Sequence, residues 1–142
     1  MADGRFPFKR LAKYPHLKPE DVRTWERFID SHPDYYNSVD YDMGLSRVEE
    51  AAQKAKELES EGDERLYQYK VDAVGYRPDE IHIIEIKGKA PPQAIGQVLS
   101  YKLLYDREKS PGMPTRAVII ATEAANEMPM LCKEQGVTLI LT

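Results

Sequence analysis

KVDAVGYRPDEIHIIEIK, residues Lys70 to Lys87, sets two apolar runs of strand length on either side of Arg77-Pro78-Asp79-Glu80. Proline and aspartate are turn residues, so the segment predicts a β-hairpin whose four-residue loop centres on Pro78-Asp79. That symmetry pairs Tyr76 with Ile81, Val74 with Ile83, Asp72 with Glu85 and Lys70 with Lys87. Strand side chains alternate, so these residues share one face. Directly opposed like charges repel, and the two carboxylates therefore call for a cation. Lys70 and Lys87 can supply one as ordinary surface ion pairs, each contributing about 0–1 kcal/mol. A hard divalent metal, which prefers carboxylate oxygens and keeps several waters, is the sharper alternative. The same face carries Val74, Ile81 and Ile83 and the other Val71, Ala73, Ile84 and Ile86, so both are expected to be covered.

Downstream, Pro91-Pro92 open a helix to about Asp106. Ala94, Val98, Tyr101 and Tyr105 lie along one side of it. Gln97 and Tyr101 stack at i, i+4 on the edge of that surface, with Gln93 one turn earlier as the lesser candidate. Asp72, then Glu85-Ile86-Lys87, then a helix bearing Gln97 and Tyr101, resembles the PD-(D/E)XK nuclease superfamily. The nearest variants are those with a Gln-x-x-x-Tyr helix, as in RecB-type and archaeal mismatch or branched-DNA nucleases. The resemblance spans about residues 20–105. Val71 stands where many members have proline. A short Trp-Glu helix before a Tyr-rich strand also looks like small nuclease-like proteins of phage and prophage gene sets.

The resemblance implies a restriction-endonuclease-like α/β core, a central mixed β-sheet flanked by helices. It implies Mg²⁺ or Mn²⁺ held by Asp72, Glu85 and the backbone carbonyl of Ile86, with an acid from the first helix. Lys87 would position or deprotonate the attacking water, and Gln97 would orient that water or a phosphate. The first helix starts at Pro19 and runs to about Ser31, its stripe being Val22, Trp25, Phe28 and Ile29. Glu26 falls inside that stripe, where a carboxylate is costly unless paired or bound to metal, and is the expected helix acid. Glu49 and Glu50 sit off the stripe of the next helix.

The 142 residues, 42% hydrophobic, suit one domain with one core. Residues 1–18 form a basic arm, net +4 against −4 for the whole chain, leaving −8 on the domain of residues 19–142. Arg5, Lys9, Arg10 and Lys13 alternate with Phe6, Phe8 and Tyr14. Such an arm either packs its aromatics on the body or grips a phosphate backbone, joined there by Lys89 and Tyr101. The acidic remainder excludes a bulk DNA coater. No stretch is long and apolar enough to span a membrane and no leader pattern is visible, so a cytoplasmic protein is expected. Cys132 has no partner for a disulfide or zinc site. His16, His32 and His82 lack metal-ligand spacing and read as structural.

The remaining elements are a strand at Tyr35–Tyr41 with Asp40 and Asp42 as solvated turn residues, and a capping box at Ser46-Arg47-Val48-Glu49 opening a helix to about Ser60. Gly62-Asp63 leads into the hairpin. An apolar strand at Ala117–Ala121, a helix capped by Thr122 and a last strand at Val137–Leu141 complete the order α-β-α-β-β-α-β-α-β. The expected activity is metal-dependent hydrolysis of phosphodiester bonds in DNA, directed by structure rather than by sequence. The alternative is an inactive nuclease-fold module that binds nucleic acid or a protein assembly. A homodimer and a place in a larger replication, repair or phage assembly both stay open.

Overall fold

The computed structural model describes residues 3–46 and 68–142. The expected capping box beyond Ser46, the helix to Ser60, the Gly62-Asp63 turn and the rival acids Glu49 and Glu50 lie outside the described residues. The elements are β1 (Phe6–Pro7), α1 (Pro19–Ser31), β2 (Ser38–Ser46), β3 (Gln68–Tyr76), β4 (Ile81–Ala90), α2 (Gln93–Lys109), β5 (Thr115–Ala124), α3 (Met128–Gln135) and β6 (Thr138–Leu141). One six-stranded sheet runs in the order β1-β2-β3-β4-β5-β6. The first three pairings are antiparallel and the last two parallel. Parallel neighbours need a crossover, which α2 and α3 supply. This is the mixed α/β sheet with flanking helices expected from the sequence.

Helix ends follow local chemistry. Pro19 sits in the first turn of α1 with Glu20 and Asp21 near its positive end. At the other end the N–H of His32 bonds back to Phe28, and Pro33 cannot continue the helix. Gly136 closes α3 at φ 72°, a left-handed conformation that costs glycine little.

The helices divide between the faces. Trp25, Phe28 and Ile29 of α1 pack with Tyr41, Ile84, Ile86, Val118 and Ile120. Ala94, Ile95 and Val98 of α2 pack with Ile119, Ala121, Met128 and Cys132. Each large buried side chain here stands for about 2–5 kcal/mol on truncation to alanine. Gly75 is where β3 passes under Tyr36: a Cβ added there would meet the tyrosine ring at 2.5 Å.

Several expectations change. The arm packs its aromatics on the body: β1 pairs with the outer edge of β2, and Phe8 and Tyr14 are buried. Asp40 is buried inside β2, which runs on to Ser46, so it is not a turn residue. Thr122 caps nothing, because β5 continues through it to Ala124; its hydroxyl bonds that of Thr24 at 2.8 Å. Val71 joins Leu45, Val74 and Tyr105 on the α2 side rather than following Ala73 to the α1 side. Among the described residues no helix is long and apolar enough to cross a membrane.

Candidate active site at a fork in the sheet

The hairpin register is the one read from the turn. Tyr76 pairs with Ile81, Gly75 with His82, Val74 with Ile83 and Ala73 with Ile84, and there the β3–β4 ladder stops. β4 continues along β5 to Ala90, whereas β3 stays with β2 back to Gln68. The sheet therefore forks just beyond Ala73 and Ile84. Asp42, opposite Asp72 between the Tyr41–Ala73 and Met43–Val71 pairs, has φ 50°. Residues on either side of it join different clusters, Tyr41 and Ala73 with α1, Leu45 and Val71 with α2. In the crotch of the fork a side chain takes over from the missing ladder: the N–H of Ile86 donates to Asp72 Oδ2 at 2.9 Å.

Glu85 lies beside it and is 2% exposed. Its Oε1 is 3.8 Å from Lys87 Nζ, and its buried Oε2 has no hydrogen-bond partner. Burial, then the charge of Asp72 and a hydrogen bond to it, push the Glu85 carboxyl up to about 9 against the opposing pull of Lys87. The charged form of Glu85 is therefore disfavoured beside Asp72. Lys87 is about one-third exposed, so it faces both the pair and solvent.

The helix acid beside this pair is Asp21, not Glu26. Asp21 is 7% exposed and accepts the N–H of Gly88 at 3.1 Å, just past Lys87 on β4. Burial raises its carboxyl, the negative charge of Asp72 adds to the rise, and Gly88 and Lys87 oppose it. Glu26 is held by the arm: its Oε2 accepts the Tyr14 hydroxyl at 3.0 Å and its Oε1 lies 3.6 Å from Arg10. Asp21 sits one and a half turns before Glu26, at the helix end that meets the open end of β4. Its sequence signal, an acid in the first turn, is also that of any ordinary helix start.

Gln97 and Tyr101 meet as expected, the Gln97 amide donating to the Tyr101 hydroxyl at 3.0 Å. Burial raises the Tyr101 hydroxyl, Gln97 opposes that rise, and Glu85 and Asp72 add to it. Gln97 itself is exposed. The expected nucleic-acid contacts separate. Arg10 is tied to Asp30 and Glu26, and Arg5 to Asp40, while Lys9, Lys13 and Lys89 are exposed. His82 is structural, buried between the Tyr36 hydroxyl at 2.8 Å and Glu80 at 2.7 Å.

The buried Glu85 with its unsatisfied oxygen, the half-buried Asp72, a lysine and the buried Asp21 behind them suit a hard cation with oxygen ligands. Among the described residues, no group of three or more His, Cys, Asp or Glu side chains is drawn together tightly enough to enclose an ion. A site of two carboxylates is within the habit of Mg²⁺, which keeps most of its waters.

No protein-family model matches the chain, and no curated protein matches it. A solved structure described as the EndoMS–dsDNA2 complex is similar in fold, with a TM-score of 0.51 and 16% sequence identity over 94% of this chain. The chain spans 49% of that protein's length. At this identity the likeness concerns the fold alone, and it extends over nearly all of the six-stranded sheet and its helices.

Proposed function

We propose that this chain is a nuclease domain that hydrolyses phosphodiester bonds in DNA with Mg²⁺ or Mn²⁺, directed by the form of the substrate rather than by its sequence. The observation that carries the reading is the buried, unpartnered oxygen of Glu85 beside Asp72 in the fork. A buried carboxylate left unsatisfied is costly, and a cation is the partner that removes the cost. The fold likeness to a protein whose structure includes double-stranded DNA supports the choice of polymer.

Asp72 and Glu85 would hold the ion, with the carbonyl of Ile86 as the superfamily resemblance implies. Asp21, in place of Glu26, would complete the acidic surroundings through water. Once bound, such an ion lowers the pKa of water and neutralises phosphate charge. Asp72 is anchored on the Ile86 N–H, which leaves its other oxygen for the ion. Glu85 must shed its proton before it can serve as a ligand. Lys87, reaching from the pair toward solvent as an ammonium, would pair with a phosphate oxygen and donate a hydrogen bond that positions the attacking water. Gln97 holds the Tyr101 hydroxyl and leaves the amide oxygen for a water or phosphate. The exposed Lys9, Lys13 and Lys89 add local positive charge to an otherwise acidic body.

Incubating the protein with end-labelled single-stranded, flapped, branched and blunt duplex DNA, with Mg²⁺, Mn²⁺ or EDTA, tests the reading. Cutting of at least one form that requires metal supports it. Binding in EDTA without cutting in either metal makes the fold a nucleic-acid-binding module instead.

A further inference from the structure

Val39 and Tyr41 of β2 pack with α1, whereas Met43 and Leu45 pack with Tyr105 of α2. An uninterrupted strand keeps residues i, i+2 and i+4 on one face, so the alternation of β2 slips by one residue between Tyr41 and Met43. Asp42 stands at the slip with φ 50°, a left-handed conformation that most side chains disfavour and β-branched ones disfavour most. The neighbouring strand slips at the same level. Ala73 packs with α1 and Val71 with α2, and the residue between them, opposite Asp42, is Asp72. Asp72 therefore sits where β3 passes from one face to the other, and its carboxylate reaches sideways to the Ile86 N–H at 2.9 Å. The carboxylate of Asp42 turns to the arm instead, Oδ2 lying 3.3 Å from Nε2 of His16.

Resting on the nuclease reading above, we propose that Asp42 is a positioning residue whose left-handed backbone aims the Asp72 carboxylate along the sheet into the fork. The ladder carries the effect: the Tyr41–Ala73 and Met43–Val71 pairs flank the slip, so β3 follows β2 through the change of face. With regular alternation Asp72 would follow Val74 onto the α2 face. The Ile86 N–H would then lose the acceptor that replaces the ladder. Aspartate suits the position because its short polar side chain tolerates the left-handed region better than most. The part of Asp42 that matters to the site is its backbone, not its charge.

The test replaces Asp42 with Gly, Asn, Ala and Val, a series that falls in tolerance for the left-handed region. Hydrogen exchange of the Ile86 amide is followed by NMR on the full chain in EDTA, with Asp72→Ala marking the rate once the acceptor is gone. Asp42→Gly and Asp42→Asn, which both drop the charge, should exchange within about twofold of wild type. Asp42→Val should exchange about 10- to 100-fold faster, near the Asp72→Ala rate, with Asp42→Ala between. The Asn37 amide, bonded to the Tyr76 carbonyl away from the fork, should keep its rate throughout. If Asp42→Val does not fold, Asp42→Ala against Asp42→Gly carries the same comparison. Gly and Asn variants as fast as Val, an unchanged Val variant, or an Asn37 amide that speeds up equally would each overturn the proposal. Titration with Mn²⁺ separates it from the nuclease reading. Affinity kept in Asp42→Gly and weakened about 10–100-fold in Asp42→Val supports both. Mn²⁺ that binds no protein of the set, wild type included, while Ile86 exchange follows the series, removes the nuclease reading and leaves the aiming of Asp72 standing.

Discussion

Asp40 and Glu85 are both buried carboxylates on inner strands of one sheet, and they are treated in opposite ways. Asp40 is sealed: Oδ1 accepts the Arg5 N–H at 2.9 Å and Oδ2 the Tyr76 hydroxyl at 2.7 Å. Its partners tie β1 and β3 to β2, and burial together with Asp40 holds the Tyr76 hydroxyl far above its ordinary range. Glu85 has one distant lysine, one like-charged neighbour and one orphaned oxygen. Buried polar groups in folded proteins are nearly always satisfied, and the exceptions call for a reason. Asp40 shows that this sheet can satisfy a buried acid completely. The reason for leaving Glu85 open is then best sought in what binds there.

The largest effect that can break this contrast is on cutting. Glu85→Gln and Asp72→Asn should each lower the rate of metal-dependent scission by about 10²–10³-fold, the scale expected when one aimed electrostatic contact is lost from a transition state. Asp40→Asn should leave the rate per folded molecule unchanged. Single-turnover scission of whichever DNA form wild type cuts best is the measurement. Equal losses for Asp40→Asn and Glu85→Gln would erase the distinction between the two acids.

Stability should show the reverse order. Asp40→Ala strands the buried Tyr76 hydroxyl and loosens β1, costing about 2–3 kcal/mol in urea denaturation. Glu85→Gln should be neutral or stabilising, increasingly so as pH rises. The Glu85 carboxyl titrates near 9 when folded against an ordinary 4.5. Between those values the folded chain holds a proton that the unfolded chain has released, so wild-type stability falls as pH climbs through the window. The Gln variant lacks that decline, and the two denaturation curves should diverge from about pH 5 toward pH 9. Parallel pH dependences would show that Glu85 is ionised and satisfied by some group already present.

The register of this site was legible in the sequence because a short Pro-Asp turn between two apolar runs leaves the hairpin little freedom to slip. Alternation brought Asp72 and Glu85 to one neighbourhood. The expected direct pairings of Asp72 with Glu85 and Lys70 with Lys87 do not form, because the β3–β4 ladder ends at Ala73 and Ile84. What the pattern could not carry was depth along the helix and continuity of the strands. Periodicity gives the direction in which Glu26 points, but not that Tyr14 and Arg10 of the arm fold back over it. Asp40 and Thr122 were misplaced because β2 and β5 run on past the polar residues that look like their ends. The fork is a tertiary event: β3 keeps its partner β2 and loses β4, and no local propensity announces it.

Metal should act on the open acid alone. At a free Mn²⁺ concentration tenfold above Kd, wild type should gain about 1.4 kcal/mol, seen as a raised thermal midpoint relative to EDTA. Because Glu85 must give up its proton to become a ligand, titration calorimetry at pH 7 in two buffers of different ionisation enthalpy should show net proton release on binding. Asp72→Asn should lose the midpoint shift, and Asp40→Asn, destabilised in EDTA, should still gain it. A shift retained by Asp72→Asn would place the ion elsewhere.

The smallest effects distinguish the two acids of α1. Asp21→Asn keeps an oxygen for the Gly88 N–H, so the helix should stay docked against β4 while one negative charge near Asp72 is lost. Acting behind the ligands rather than as one, Asp21 should lower Mn²⁺ affinity or scission by about 10–100-fold when changed, the range typical of groups that support a metal site from outside. Glu26→Gln removes a partly exposed partner of Arg10 and leaves an acceptor for the Tyr14 hydroxyl. Its cost in stability should therefore stay below about 1 kcal/mol, with scission and Mn²⁺ affinity unchanged. The difference between these variants is a difference in position along one helix, since both carry an acid close to the same apolar stripe. If Glu26→Gln proved the more damaging to Mn²⁺ affinity, the arm contacts of Tyr14 and Arg10 would have to give way when the ion enters. The helix acid would then be delivered on binding rather than waiting in the fork.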